Sequence, residues 1–365
     1  MSDSLSSKKF NIVRYPSSDN KSLKAWNSAD EYILEYLDKN ETSKENVVLY
    51  NDRFGYLSSY LNDFSPKIII DSKSQEKSIY SNISLNKLDL TKCEFITPLD
   101  KLKSSIKLSI IKIPKSMELF RLYLNQLIEV LDDDSLVICG FMTKYFTSQM
   151  LDIAKEYFEE VEQSLAWKKS RLLILSKPKE NKSSSIINEI SLNDTIKIQQ
   201  YFGVFSANNI DYATQYLIEN INLLETDNAI MDLASGSGVM AYVIDEKKAD
   251  CEIHLVDDSF LAIESSKLNL KGENIHFHYS DNLNEFDENY FDLIVSNPPS
   301  HFEHETNIDI SINLFKEAKR ILKTGGHFQL VASKHLNFRT HLIKIFNEVI
   351  ITAENKKFVI YESTK

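Results

Sequence analysis

Two α/β domains in tandem, each a mostly parallel sheet covered by helices on both faces and the first a degenerate copy of the second, are what this sequence predicts. Three observations predict it. Beyond residue 195, apolar strand-like runs alternate with segments of helical spacing. The first of those strands ends in a Gly-x-Gly turn, with an acid nineteen residues after its second glycine. The order of segments before residue 180 repeats the order after residue 195.

The second copy carries the clearer pattern. NAIMDLA (228–234) is a strand, followed by a small-residue turn and a helix from about residue 238. CEIHLVD (251–257) is a strand and SFLAIESSKLNL (259–270) a helix; NIHFHYS (274–280) and YFDLIVS (290–296) are strands. NIDISINLFKEAKRIL (307–322) places Ile308, Ile312, Phe315, Ala318 and Leu322 at helical spacing. GHFQLVAS (326–333) is a strand, and FNEVIITAENKKFVIYES (346–363) reads as two strands around a turn, an antiparallel end to the sheet.

In the first copy, VVLYNDRFG (47–55) matches the first strand and its turn. In IIIDSKSQEKSIYSNI (68–83), Asp71-Ser72, Ser78 and Asn82 fall at the offsets of Asp258-Ser259, Ser265 and Asn269. IKLSIIKIPK (106–115) and SLVICGF (135–141) match the next two strands. This copy has no Gly-x-Gly, and Ile113-Pro114-Lys115 stands where the second copy has Asn297-Pro298-Pro299. The polar, Ser- and Lys-rich stretch between the copies predicts domains over 1–180 and 195–365 with 181–194 as linker.

The bulk properties narrow the class. The chain has 365 residues, 42% hydrophobic and 26% charged. No apolar run reaches the roughly 18 residues of a membrane span, and the N-terminal segment lacks the apolar core of a signal peptide. A cytoplasmic monomer without membrane contact is expected. Cys93, Cys139 and Cys251 are widely separated, which predicts buried thiols rather than a disulfide frame. The net charge of −11 lies wholly in one half: residues 1–200 hold 28 Lys and Arg against 28 Asp and Glu, residues 201–365 hold 14 against 25. Two basic runs, KLKSSIKLSIIKIPK (101–115) and WKKSRLLILSKPKENK (167–182), make the first half the side for a polyanion.

The chemistry concentrates in MDLASGSGVMAYVI (231–244) and DLIVSNPPSHFEHE (292–305). Gly236 and Gly238 permit a tight turn and close approach of a ligand to the following helix N-terminus. Asp257, at the end of the next strand, stands where a carboxylate reaches ribose hydroxyls, so NAD or another adenosine cofactor fits. Asp281 and Asn282 follow the third strand on the same sheet edge, within reach of an adenine or simply in a polar loop. Pro298 and Pro299 hold Asn297 extended at the end of its strand. An amide oxygen and a neighbouring carbonyl then make a two-point acceptor for an exocyclic NH₂, aiming its lone pair at an electrophile. No metal site is expected; His301, Glu303, His304 and Glu305 are explained as a polar loop.

Asp-x-x-x-Gly-x-Gly, then Asp257, then Asn-Pro-Pro resembles the S-adenosylmethionine-dependent amino-group methyltransferases. GVFSANNIDYATQYL (203–217), VDDSFLAIESSKLN, NPPSHFEHE and NKKFVIYES, together with KAWNSADEYIL (24–34), NDRFGYLSSYL (51–61) and LAWKKSRLL (165–173), are similar to ribosomal RNA guanine-N2 methyltransferases of the RlmG type over nearly the whole chain. The resemblance implies two Rossmann-like class I methyltransferase domains with seven-stranded sheets, the first degenerate and used for RNA. It implies methylation of a guanine N2 amino group in large-subunit ribosomal RNA, naked or in an assembly intermediate. S-adenosylmethionine would be held by Asp232, Ala234, Gly236, Gly238, Asp257, Asp258, Asp281, Asn282 and Asn297, with Phe205 and Asp211 folding over it. Asn297, Pro298 and Pro299 would hold the guanine. Lys168, Lys169 and Arg171, with Ser300, His301 and Phe302, would meet RNA. The sequence departs from the family pattern at Ala213 and Ala234, where glycine is usual, and at Ser300, where an aromatic is expected to stack on the base. A decayed, RNA-binding protein, and an amino methyltransferase for DNA adenine or protein glutamine, are the alternatives.

Overall fold

The computed structural model describes residues 4–17, 20, 22–180, 185–193, 196–206, 209–298, 301–302, 305–306 and 309–365, with the backbone alone for 301–302, 305–306, 309 and 310. Two compact units divide it, Met1–Ile186 and Ile187–Lys365.

The first unit runs α1 (Ser28–Lys39), β1 (Val47–Tyr50), α2 (Tyr56–Tyr60), β2 (Lys67–Ile69), α3 (Lys73–Leu85), β3 (Glu94–Ile96), β4 (Ile106–Lys112), α4 (Met117–Ile128), β5 (Leu131–Met142), α5 (Ser148–Tyr157), β6 (Phe158–Gln163) and β7 (Ser170–Pro178). Its sheet order is β3-β2-β1-β4-β5-β7-β6. The second unit runs β8 (Ile187–Ser191), β9 (Lys197–Tyr201), α6 (Tyr212–Asn220), β10 (Ala229–Leu233), α7 (Val239–Lys247), β11 (Glu252–Asp257), α8 (Phe260–Asn269), β12 (Ile275–Tyr279), β13 (Phe291–Ser296), β14 (His301–Phe302), β15 (Glu305–Thr306), α9 (Asp309–Ile321), β16 (Leu322–Ser333), α10 (Arg339–Ile345), β17 (Glu348–Glu354) and β18 (Phe358–Thr364). Its sheet order, β12-β11-β10-β13-β16-β18-β17, is the same seven-strand plan. In both sheets the last two strands are antiparallel. The central strands are apolar on both faces because helices cover both; β10 and β1 are buried along their whole length.

The copies agree in hydrogen bonds as well as in order. Ser72 and Ser259 each cap a helix by accepting an N–H three residues on. Asn82 donates to the carbonyls of Val13 and Phe54 and accepts from Val13 N–H. Asn269 makes the same three bonds, to Gln199, Ser237 and Gln199 N–H. In each unit this asparagine clamps an upstream segment to the turn after the first strand.

Two differences from expectation are structural. Ile187–Ser191, within the span expected as linker, pairs as β8 with β9, because Ile190 and Ile198 are buried in a small cluster with Ile210 and Val239. The strand register also moves the degenerate equivalent of Asn297 by one residue. Tyr50 pairs with Ile111 as Leu233 pairs with Ser296, so Lys112, not Ile113, stands at the position of Asn297.

Candidate active site

In a doubly wound sheet, ligands bind beyond the C-terminal ends of the strands, where the order reverses. Here that point lies between β10 and β13, on either side of which the chain winds in opposite directions. The turn after β10 carries three left-handed residues, Ala234 (φ 62°), Gly236 (φ 56°) and Gly238 (φ 78°). Gly238 is required twice over: a Cβ there would lie 2.9 Å from Ser266 Oγ and 3.1 Å from Leu255 Cδ2. Gly236 is different. Nothing lies within 4 Å of where its Cβ would be, so its open side faces free space.

Asp257 meets the turn from β11. Its Oδ2 accepts Gly236 N–H at 2.9 Å and its Oδ1 accepts Ser259 N–H at 2.8 Å. Burial pushes its carboxyl up to about 6, and the charge of Asp258 adds to the effect. Asp232, buried on β10, accepts Ala241 N–H at 3.1 Å and so fixes the first turn of α7. Burial, with the Asp257 charge behind it, holds its carboxyl up at about 7.

β13 supplies the third part. Ser296 Oγ donates to Leu233 O at 2.7 Å, locking the ends of β13 and β10 together. The next residue, Asn297, uses its whole amide nitrogen: Nδ2 donates to Asp211 Oδ2 at 3.0 Å and to Thr214 Oγ1 at 2.9 Å. Both partners are acceptors here, so the amide is held in one orientation with Oδ1 left to receive a donor. Asp211 is itself fixed as the N-cap of α6, where Oδ2 accepts the N–H groups of Ala213 and Thr214. Pro298 is buried and follows directly.

These elements wall a solvent-open cleft of about 530 Å³. Asp232, Ala234, Gly236, Asp211, Thr214 and Asn297 line it, with the 71%-exposed ring of Phe205 also on its wall. Two buried polar atoms on that wall, Ser235 Oγ and Gln200 Oε1, have no hydrogen-bond partner among the described residues. A cradle of small residues, orphaned polar atoms and a carboxylate behind Gly236 fit a polar, hydroxyl-bearing cofactor.

The expected site residues separate into groups. Asp232, Ala234, Gly236, Phe205, Asp211 and Asn297 come together in one cleft; Asp257, half-buried, holds the Gly236 N–H of its wall, and Gly238 belongs to the same turn. Asp258 follows Asp257 and is not among the residues lining the cleft. Asp281 and Asn282 sit on the same sheet edge but off the cleft wall, bonded to each other at 2.8 Å, with Asn282 Oδ1 accepting Asn284 N–H. Pro299 and Ser300 lie outside the described residues, as do the side chains of His301 and Phe302. Thr214, Gln200 and Ser235 were not expected. For Thr214 a signal existed: Asp-x-x-Thr places the threonine one helical turn beyond its own cap, on the same side.

The basic runs are less uniform than their sequence. In 101–115, Lys107 pairs with Asp132 and Asp134, and Lys112 with Asp30. The β6–β7 turn is the more open surface. Lys168 and Lys169 are exposed, Leu165 is 87% exposed, and Arg171 is half-buried on β7. Lys168 lies 4.1 Å above the Trp167 ring and 3.2 Å from Glu31, while Trp167 stacks on Tyr32.

Residues 1–180 match the RLMG N-terminal domain family and residues 195–362 the methyltransferase small domain family. A Psychromonas ingrahamii protein named ribosomal RNA large subunit methyltransferase G is 30% identical, over 97% of this chain and 96% of its own. The protein of that name from Yersinia enterocolitica is 29% identical over 99% of this chain and 93% of its own. Among solved structures, the T. thermophilus 16S rRNA N2 G1207 methyltransferase (RsmC), in complex with AdoMet and guanosine, shares the fold with a TM-score of 0.77 over 98% of both chains, at 16% identity.

Proposed function

The chain belongs to the ribosomal RNA large subunit methyltransferase G family, and from that premise we propose that it methylates the exocyclic N2 amino group of a guanine in large-subunit ribosomal RNA, using S-adenosylmethionine. The observation that carries this is the locked amide of Asn297 on the wall of the open cleft beside the Gly236 turn. Bound in the cleft, S-adenosylmethionine supplies an electrophilic methyl group. Everything else is done by the chain's own residues.

Asp257 accepts two ribose hydroxyls on the lone pairs that Gly236 and Ser259 leave over. Ser235 and Gln200 offer their orphaned oxygens to the cofactor's polar groups, and the open face of Gly236 lets them approach. Asn297 Oδ1 and the Pro298 carbonyl accept the two N2–H hydrogens of the guanine. That nitrogen is a poor nucleophile while its lone pair is conjugated into the ring; two acceptors draw it toward a pyramidal shape. Because Asp211 and Thr214 hold the amide beforehand, no reorganisation is needed at the moment of transfer.

The first unit docks the RNA, through Lys168, Lys169 and Arg171 on the β6–β7 turn. The Lys168–Glu31 pair is exposed and therefore weak, so a phosphate displaces it readily. Among the described residues no helix is long and apolar enough to cross a membrane. The protein works in the cytoplasm as a monomer, on naked RNA or on an assembling subunit.

Mass mapping of ribosomal RNA nucleosides tests the proposal. Cells lacking the chain lose one N2-methylguanosine from large-subunit RNA, and the wild-type chain restores it where Asn297→Ala does not. Unchanged RNA in the deletion, with cofactor and RNA binding intact in vitro, would leave an RNA-binding protein without transfer activity.

A further inference from the structure

The opposite end of β11, away from the cofactor edge, holds a second cluster of chemically active side chains. Glu252 and His254 are two residues apart on β11 and so face the same side. The register sets His276 of β12 directly opposite His254. Glu252 Oε1 lies 3.2 Å from His254 Nε2 and 3.0 Å from His276 Nε2, and the three ligand atoms all fall within 4.8 Å of one another.

The hydrogen bonds around the cluster fix its chemistry. His278 Nδ1 faces Glu285 Oε1 at 3.1 Å, and that carboxylate favours the proton on this nitrogen. The other nitrogen of a neutral His278, Nε2, is then an acceptor, and it receives His254 Nδ1 at 3.0 Å. With its proton on Nδ1, His254 presents a bare lone pair at Nε2. That nitrogen is buried and makes no hydrogen bond among the described residues, although a carboxylate oxygen stands 3.2 Å away. Two acceptors facing each other in a half-buried site repel, unless a cation lies between them.

We propose that Glu252, His254 and His276 bind one divalent transition-metal ion, with Zn²⁺ the best match. Two imidazoles and one carboxylate are a borderline donor set suited to Zn²⁺ rather than to Ca²⁺ or Mg²⁺. In a tetrahedral site with bonds of about 2.0–2.1 Å, neighbouring ligand atoms stand about 3.3 Å apart. The two edges to Glu252, 3.0 and 3.2 Å, are close to that value, and the third, between the two imidazoles, lies within 4.8 Å and narrows by a turn of the partly exposed His276 ring. Supporting contacts are in place as well. Tyr290 Oη donates to Glu252 Oε2 at 2.8 Å, and the His278–Glu285 pair orients His254. The rings of Phe286 and Phe291 stand edge-on to His254 and wall it from water. His276 and Glu252 are more than a third exposed, which leaves a path of entry and a fourth position for water. The ion ties the sheet-edge strand β12 to β11.

The test is titration of chelator-stripped, full-length protein with ZnCl₂ by calorimetry, and with Co²⁺ by visible absorption. One equivalent of Zn²⁺ binds and raises Tm, and Co²⁺ gives the absorption of a tetrahedral site. The exposed ligands are the ones to change: His276→Gln and Glu252→Gln each weaken Zn²⁺ binding by about a hundredfold, and Glu285→Gln or Tyr290→Phe by about tenfold. S-adenosylmethionine affinity, measured in the same variants, stays at the wild-type value and shows that the fold is kept. Less than a tenth of an equivalent of Zn²⁺ bound at about 10 µM free metal, or full affinity in the His276→Gln, Glu252→Gln double variant, overturns the proposal.

Discussion

Replacing Asp211 by alanine separates two roles that its position permits. From the sequence it belongs to a segment folding over the cofactor. In the structure its Oδ2 does two other things: it caps α6 through Ala213 and Thr214, and it holds Asn297 Nδ2 at 3.0 Å. Loss of the cap costs about 1 kcal/mol, which for a unit of this size lowers Tm by about 2–4 °C. Loss of the amide anchor removes a charge-assisted hydrogen bond of about 1.5–3 kcal/mol. If that bond acts by presenting Oδ1 to the guanine, the rate of methyl transfer falls by about ten- to hundredfold. Thr214→Val removes only the neutral partner at 2.9 Å, about 0.5–1.5 kcal/mol, and slows transfer by about two- to tenfold. Asp211→Asn keeps one acceptor oxygen for both tasks and recovers most of the rate. The assay is single-turnover transfer from radiolabelled S-adenosylmethionine to ribosomal RNA of cells lacking the chain, with cofactor affinity measured beside it. An Asp211→Ala protein that binds cofactor at least tenfold more weakly yet transfers at the wild-type rate when saturated would refute the positioning role and return Asp211 to the cofactor.

Four further expectations follow from single residues. Asp257, held up to about 6, accepts the ribose only when ionised, so S-adenosylmethionine affinity is full at pH 8 and falls as pH drops through about 6; Asp257→Asn weakens binding at pH 8 by about tenfold, and a flat calorimetric profile would exclude Asp257. Ala234 pays about 1–2 kcal/mol for its left-handed φ of 62°, whereas glycine there loses about 0.4–1 kcal/mol to unfolded-chain entropy; Ala234→Gly therefore raises stability by about 0.5–1 kcal/mol in urea unfolding, and a lowered midpoint contradicts the strain. His327 is buried, which disfavours its charge, yet Asp227 and Glu362 prevail and raise its pKa to about 9. Its contribution is complete below the unfolded value near 6.5 and is lost as pH rises through about 9, a fall of about 3 kcal/mol that His327→Gln abolishes in denaturant titrations. Reversing Lys168 and Lys169 to Glu weakens RNA binding and lowers its salt slope by up to about 2, with cofactor affinity unchanged; an unaltered slope moves the RNA surface elsewhere.

What the sequence makes legible follows from how local each signal is. Apolar runs bounded by turn residues mark the strands β10, β11 and β13, and Asn-Pro-Pro marks the end of β13, because proline acts on its immediate neighbours. Register is not local. That Lys112 rather than Ile113 matches Asn297 depends on Tyr50 pairing with Ile111, which no run of residues announces. The basic run 101–115 misleads for a related reason. Lys107 and Lys112 are five apart on one strand, so they point to opposite faces, and each meets acids from distant segments. The Glu252, His254 and His276 cluster is likewise silent in sequence, since alternate residues on two strands converge only once β11 and β12 pair. Asp281 and Asn282, read from the end of a strand, do stand at the expected sheet edge, where they bond to each other.

The two copies show which parts of the plan serve the fold and which serve the cleft. Asn82 and Asn269 make the same clamp, and Gly55 and Gly238 keep the same left-handed turn, φ 77° and 78°. These contacts hold a helix against the turn after the first strand, and both units need them. At the ligand edge the pairs diverge. Arg53 stands where Gly236 leaves open space, and its guanidinium is spent on Ser72 and Ser74. Ile70 stands at the position of Asp257, so no carboxylate faces a ribose. Lys112 replaces Asn297 and reaches Asp30, in the first turn of α1, as Asn297 reaches Asp211 at the start of α6. That ion pair is largely buried, and breaking such a pair costs about 3–5 kcal/mol. A cationic ammonium has no lone pair to offer an amino group, so the strand-to-helix contact of Asn297 keeps its place in the first unit while its chemistry is inverted. Where the second unit holds an amide with a free acceptor oxygen, the first unit has an ionic cross-link between helix and sheet.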